Sequence, residues 1–178
     1  MIDLPRIKRV IFTQEQINER VAEIAAQISR DYRGLDLVMV GVLTSSVYFF
    51  TDLTRALDIP VLVDFIDLGH ISKSATRKGI VRITKDLELD ISGKHVILVE
   101  DIIRTGLTIG YLVQNLSSRG PLSVRICSLL TNPGQQIISV PIAYSGFEFD
   151  TAKLIGYGFD VNDIGRNLPY IAEVEDRV

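Results

Sequence analysis

One stretch, His95-Val96-Ile97-Leu98-Val99-Glu100-Asp101-Ile102-Ile103-Arg104-Thr105-Gly106-Leu107-Thr108, constrains the fold of this chain more than any other. Its apolar run rises out of Gly93-Lys94 and ends at two adjacent acids. An unbroken apolar run has no polar face to give to water, so it suits a strand covered on both sides, as in a parallel sheet. A Thr-Gly-Leu-Thr turn follows, and then Ile109, Tyr111, Leu112 and Leu116 in a helical pattern. Such a turn at the mouth of a helix offers free backbone N–H groups, the positive end of the helix dipole and a glycine that permits close approach. It is a good seat for a phosphate. The two acids before it can accept from sugar hydroxyls or hold a divalent cation. Acids beside an anion cradle point to a sugar phosphate.

The flanking sequence repeats the strand, loop and helix theme. Thr13 with Gln16 forms a capping-box pattern, Ile17, Val21, Ile24 and Ile28 recur at helical spacing, and Gly34 stops the helix. Its polar face, with Glu15, Glu19, Arg20 and Glu23, reads as solvated. Residues 35–43 are a second buried-strand run, followed by Thr44-Ser45-Ser46 and a helix holding Tyr48, Phe49, Phe50, Leu53 and Leu57. That loop either seats a second phosphate or is a plain helix cap. The Tyr48-Phe49-Phe50 cluster reads as core, with an exposed apolar surface as the alternative.

Residues 61–66 make a third strand. Residues 69–79, Gly-His-Ile-Ser-Lys-Ser-Ala-Thr-Arg-Lys-Gly, then break the pattern as a lid or an exposed hairpin tip. Lys73, Arg77 and Lys78 suit a lid over an anion; His70 is too isolated to assign. Residues 123–130 form another strand, Asn132-Pro133-Gly134 a turn, and residues 142–149 and 154–158 two strands at a sheet edge. The lead from Leu4 to Phe12 reads as irregular or briefly extended, and the tail after Asp160 shows no period. Strands alternating with helices predict an α/β fold with a parallel core, whose ligands gather at strand carboxyl ends.

The length of 178 residues fits one domain, residues 1–178. A net charge of −3 argues against broad nucleic-acid binding, so phosphate binding is local. No apolar run is long enough to span a bilayer, and the N-terminus lacks the pattern of a signal peptide. The expectation is a cytoplasmic protein with no membrane partner. Cys127, the single cysteine, sits in an apolar run and reads as a packing residue.

Val99-Glu100-Asp101-Ile102-Ile103, with Thr105-Gly106-Leu107-Thr108 after it, resembles the phosphoribosyl-diphosphate (PRPP) signature of type I phosphoribosyltransferases. The rest is similar to the hypoxanthine-guanine branch of that family. Val40-Gly41-Val42-Leu43 matches its diphosphate loop, Val63-Asp64-Phe65 leads into its lid and Lys85-Asp86-Leu87 leads out. Gly146-Phe147-Glu148, Gly156-Tyr157-Gly158-Phe159-Asp160 and Arg166-Asn167-Leu168-Pro169-Tyr170-Ile171 fit its base-site region and its end. The resemblance runs in order over nearly the whole chain. It implies a mainly parallel sheet flanked by helices, a mobile lid at about residues 67–84, and a small hood with the base site at about residues 131–178. It also implies transfer of 5-phosphoribosyl from PRPP to a purine nitrogen with Mg2+, and a homodimer or homotetramer. The ligands would be PRPP and a nucleobase or nucleoside monophosphate.

Carried over by resemblance, Glu100 and Asp101 face the ribose hydroxyls, and Thr105, Gly106, Leu107 and Thr108 hold the 5′-phosphate. Thr44, Ser45 and Arg166 meet the diphosphate. Asn132, Lys153, Leu154 and Asp160 surround the base, and Glu100, Asp101 and Asp160 place the metal. Four positions depart from the family, which has Asp at position 104 as proton acceptor. Arg104 keeps its proton at working pH and cannot be that base. Asn132 replaces a lysine that grips the purine oxygen, Lys153 an aromatic that stacks on the base, and Thr44 a lysine common in the diphosphate loop. Three readings follow: a hypoxanthine or guanine enzyme, the same chemistry on an anionic base, or a non-catalytic PRPP or nucleotide-binding regulator.

Overall fold

Two apolar faces on one sheet organise the chain. The computed structural model describes residues 4–70, 81–150 and 153–175. Lys73, Arg77 and Lys78 of the expected lid lie outside these residues, and so does most of the lid itself. A six-stranded sheet runs in the order β4-β3-β2-β5-β6-β7. Its members are β2 (Leu37–Leu43), β3 (Leu62–His70), β4 (Val81–Lys85), β5 (His95–Ile103), β6 (Ser123–Thr131) and β7 (Ile142–Glu148). All its pairings are parallel except β3 with β4. Helices α1 (Gln14–Asp31) and α2 (Val47–Ala56) supply the side chains that cover one face, where Ile17, Ile24, Phe49 and Leu53 pack on Met39, Ile97 and Val99. On the other face, α3 (Leu107–Ser117) places Ile109, Leu112 and Leu116 against Val38, Val40, Val96 and Leu98. Both faces of the central strands are therefore dry, as their unbroken apolar runs require.

The capping box forms as expected: the Gln16 N–H donates to Thr13 Oγ1, and the Thr13 N–H donates to Gln16 Oε1. Phe49, Phe50 and Cys127 are buried, as their apolar surroundings imply, but Tyr48 departs from the core reading and is 38% exposed. The solvated reading of the α1 polar face fails at Arg20. Its Nε donates to the Gly146 carbonyl at 3.0 Å and its Nη2 to Ser145 at 2.6 Å, which docks α1 on β7. Charged donors to backbone carbonyls contribute about 1.5–3 kcal/mol each at most. Arg20→Met, which keeps the aliphatic stem, is expected to cost about 1–2 kcal/mol in urea unfolding; an unchanged midpoint would show that water replaces both bonds.

Three further expectations are corrected. The chain does not leave its strand at Gly69: β3 continues to His70 and pairs with β4, Gly69 opposite Arg82 and His70 opposite Val81. A Cβ on Gly69 would lie 2.4 Å from Thr84 Cγ2, so the glycine lets the two strands close up. Second, Leu154-Ile155 is no edge of the main sheet. It is β8 (Leu154–Ile155) of a separate three-stranded sheet in the order β1-β9-β8. Third, that sheet draws β9 (Ile171–Val174) from the tail without a period, while β1 (Ile7–Phe12) bears out the briefly extended reading of the lead. Neither end shows a clean alternation because the β1–β9 ladder carries register shifts. This second sheet thus includes residues well before position 131.

Asp64 closes the β3–β4 excursion. Burial by itself would raise its pKa, yet N–H donation from Leu89, Phe65 and Glu88, with Lys85 nearby, holds the carboxyl below its ordinary value. No helix among the described residues is long and apolar enough to cross a membrane.

Candidate active site

The loops that follow β2, β5 and β6 meet at the carboxyl ends of these parallel strands. A cleft of about 440 Å3 opens there, lined by Leu43, Ser45, Glu100, Arg104, Thr105, Gly106 and Thr108 among others. A second recess of about 300 Å3 is lined by Ile102, Arg104, Lys153, Leu154, Phe159, Asp160 and Val161. Ile102 and Arg104 line both, so the two spaces adjoin along the end of β5.

The acids do not end the strand, as the sequence suggested; β5 carries the chain through them to Ile103. Continued pairing with β6, Glu100 opposite Ser128 and Ile102 opposite Leu130, holds both carboxylates on rigid backbone. Asp101 is 2% exposed, and burial pushes its pKa up to about 6. The Ser45 hydroxyl, neighbouring backbone N–H groups and the Arg166 charge oppose that rise. Glu100 is raised well above its usual range, by burial first and by the Asp101 charge second. Its Oε2 is enclosed and has no hydrogen-bond partner among the described residues. An enclosed carboxylate oxygen without a donor is costly unless a ligand supplies one.

The turn at 105–108 has a geometry that can seat an anion. Gly106 adopts φ +80 and precedes α3. A Cβ there would stand 2.4 Å from the Ile138 carbonyl oxygen. The Ile137 and Ile138 N–H groups both donate to the Thr105 carbonyl, at 3.0 and 3.1 Å, and clamp the turn from outside. The first-turn amides of α3 point away from the helix with no intrahelical acceptor.

On the far side, Arg166 is held by Gly158 and Asp160, with Asp163 at 3.6 Å. Its Nη1 donates to the Gly158 carbonyl at 2.7 Å, and its Nη2 pairs with Asp160 at 2.7 Å. Gly158 in turn lies against Ser45: a Cβ on it would be 2.0 Å from the Ser45 carbonyl oxygen. The Tyr157 hydroxyl donates to Asp52 of α2 at 2.8 Å. The loop after β2 and the 156–166 segment are therefore one packed unit. Arg104 lies over the Phe149 ring, its guanidinium carbon 5.0 Å from the ring centre.

The model of the phosphoribosyl transferase domain family matches residues 11–163. The chain belongs to this family. It is 43% identical over 178 residues to a hypoxanthine-guanine phosphoribosyltransferase of Mycobacterium tuberculosis, covering 97% of this chain and 88% of that one. It is 40% identical over 173 residues to a hypoxanthine-guanine-xanthine phosphoribosyltransferase of Tritrichomonas foetus, covering 97% and 94%. The crystal structure of a Bacillus anthracis hypoxanthine-guanine phosphoribosyltransferase is similar at a TM-score of 0.90 and 36% identity, covering 96% of this chain and 100% of that one.

Not every residue expected in the family's site lines these spaces. Ser45, Glu100, Thr105, Gly106 and Thr108 share the cleft, and Lys153, Leu154 and Asp160 share the recess, with Arg104 common to both. Asp101 is buried beneath them, and Arg166 reaches the site through Asp160 and Gly158. Thr44 and the Leu107 side chain are exposed outside the cleft lining. Asn132 is buried at the end of β6, its N–H donating to Ile103, and lines neither space. Glu100, Asp101 and Asp160 do not converge: no three His, Cys, Asp or Glu side chains among the described residues form a metal cage. Phe149 beneath Arg104, and Ile137 and Ile138 behind the turn, escape a reading of the sequence. Nothing local marks a contact between segments this far apart in the chain.

Proposed function

We propose that the protein transfers the 5-phosphoribosyl group of PRPP to a purine of the hypoxanthine and guanine type, releasing diphosphate. The adjoining cleft and recess carry this reading, because a ribosyl carbon at their junction would reach both a phosphate seat and a base. Their chemistry agrees. Glu100 and Asp101 accept from the two ribose hydroxyls. The 105–108 turn holds the 5′-phosphate on backbone N–H groups and the hydroxyls of Thr105 and Thr108. Ser45, with Thr44 beside it, and Arg166 attend the diphosphate, Leu154 offers backbone groups to the base, and Asp160 orients Arg166.

Mg2+ belongs with this reading, since the unpartnered Glu100 oxygen beside Asp101 is a hard donor set. The missing third protein ligand also fits, because Mg2+ is commonly held by one or two carboxylates with substrate oxygens completing the shell. When bound, the ion would neutralise charge on the leaving diphosphate. The chain's own residues position the ribosyl centre, whose oxocarbenium-like character they meet with fixed carboxylates in a site sheltered from water.

Incubation with PRPP, Mg2+ and each of hypoxanthine, guanine and xanthine is expected to release diphosphate with at least one base. Binding of PRPP without release from any base would overturn the enzyme reading in favour of a regulator.

A further inference from the structure

We propose that residues 132–140 form a brace that aims the phosphate-binding amide of Gly106, and that Ile137 and Ile138 are its positioning residues. The inference rests on the phosphoribosyl-transfer reading and adds to it the part of the chain that sets the 5′-phosphate seat. The brace starts where β6 ends. The Asn132 N–H donates to the Ile103 carbonyl at 2.9 Å, at the last residue of β5 before the turn. A short turn follows, closed by the Gln135 N–H on the Asn132 carbonyl at 3.1 Å. At the far end, Val140 packs against the core that holds Ile109 and Leu112 of α3. It also meets Gly110, where an added Cβ would stand 3.7 Å from Val140 Cγ1 and 3.9 Å from Ile138 Cγ2. Both ends of the brace are thus tied to the elements that flank the phosphate turn.

Its middle grips the turn itself. The Ile137 and Ile138 N–H groups both donate to the Thr105 carbonyl, at 3.0 and 3.1 Å. The Ile137 side chain is 71% exposed, so what this residue gives the turn is backbone and not packing. The Thr105 carbonyl belongs to the same peptide group as the Gly106 N–H. That peptide is trans, and in a trans peptide the C=O and N–H point opposite ways. Gly106 lines the cleft, and neither isoleucine does. A carbonyl pinned on the brace side therefore leaves the Gly106 N–H aimed toward the cleft.

Two consequences follow for a phosphate at the turn. To swing the Gly106 N–H away, the peptide must rotate and both isoleucine bonds must break, so the seat is set before the ligand arrives. Two donors on one carbonyl also polarise the peptide, which strengthens its N–H as a donor to an anion. The glycine is what lets the brace close this far, since an added Cβ at Gly106 would stand 2.4 Å from the Ile138 carbonyl oxygen.

The test exchanges a backbone amide for an ester, by placing the α-hydroxy acid analogue of a residue in the full chain; the N–H becomes an oxygen and the side chain stays. Esters are placed at Ile137, at Ile138, at both, and at Gln135, whose N–H holds the brace but does not touch the turn. Affinities for guanosine 5′-monophosphate and for guanosine are measured by titration calorimetry, and their ratio reports the phosphate seat alone. The ratio is expected to fall roughly threefold with either isoleucine ester and about tenfold with both. Guanosine affinity should hold. The KM for PRPP should rise in step while the KM for guanine stays at its wild-type value, and the Gln135 ester should leave the ratio unchanged. An unchanged ratio in the doubly replaced protein, or an equal fall with the Gln135 ester, would overturn the inference and leave phosphoribosyl transfer standing. A wild type that binds the monophosphate no better than guanosine would instead remove the phosphate seat, and both readings with it.

Discussion

Asp101→Asn is expected to stabilise the unliganded protein and, in the same step, to remove most of its affinity for PRPP. The carboxyl of Asp101 is 2% exposed and titrates at about 6 in the fold, against about 3.9 in an unfolded chain. Between those values the folded state binds more protons than the unfolded state, so stability falls as pH rises through that window. Above pH 6 the full penalty for the buried charge is present, on the order of 3 kcal/mol. Asparagine keeps the shape and an acceptor for Ser45 but carries no charge. It also lifts the repulsion that helps to raise Glu100. The melting temperature at pH 8 should therefore rise by several degrees, at roughly 2–4 °C per kcal/mol for a chain of this size. The gain should vanish near pH 4, where wild-type Asp101 is itself protonated. PRPP would lose a charged acceptor for its ribose hydroxyls, worth about 1.5–3 kcal/mol per bond. One such bond corresponds to a fall of roughly one to two orders of magnitude in kcat/KM for PRPP. Calorimetry at pH 4 and pH 8, beside steady-state kinetics, checks both halves. A melting temperature that drops equally at both pH values would mean that Asp101 serves the fold and not a ligand.

Such a trade between stability and binding explains why the acid pair was legible from sequence while its setting was not. Glu100-Asp101 interrupts an apolar run, and a run of that kind is buried by default, so the two charges stand out at once. The parallel core followed from the same logic: the apolar runs within β2, β5 and β6 lie buried in the sheet. The ends of the chain were opaque for the opposite reason. In β1 and β9 the ladder slips twice, which erases the alternation that marks a strand. Arg20 was misjudged because a polar side chain says little about its partners. The carbonyls that hold Arg20 lie on β7, more than 120 residues away in sequence. Close approaches of backbone to backbone leave only glycines as their trace.

Gly158→Ala tests one of the two closest of those approaches, Gly156 against Tyr170 being the other. The residue has φ +100, and an added Cβ would sit 2.0 Å from the Ser45 carbonyl oxygen and 3.1 Å from its carbon. Both obstacles are backbone, so no side chain can swing aside. The positive φ costs about 1–2 kcal/mol for a residue with a Cβ, and forced overpacking about 1–3 kcal/mol more. Gly34→Ala separates the two costs, because Gly34 has φ +78 with nothing within 4 Å of the added carbon. It should lose about 1–2 kcal/mol and keep its kinetics. Gly158→Ala should lose about twice as much, and its loss should reach the ligand. The Gly158 N–H donates to the Arg166 carbonyl at 2.9 Å while its own carbonyl accepts from Arg166 Nη1. Relief of the clash therefore moves Ser45, Arg166 or both, the two groups proposed for the diphosphate. Diphosphate affinity is expected to fall at least tenfold in Gly158→Ala, since a displacement of about an ångström is enough to lose a charge-assisted bond. Equal unfolding midpoints for the two variants would mean that the loop yields freely at Ser45. A destabilised Gly158→Ala with undiminished diphosphate affinity would place the diphosphate away from this joint.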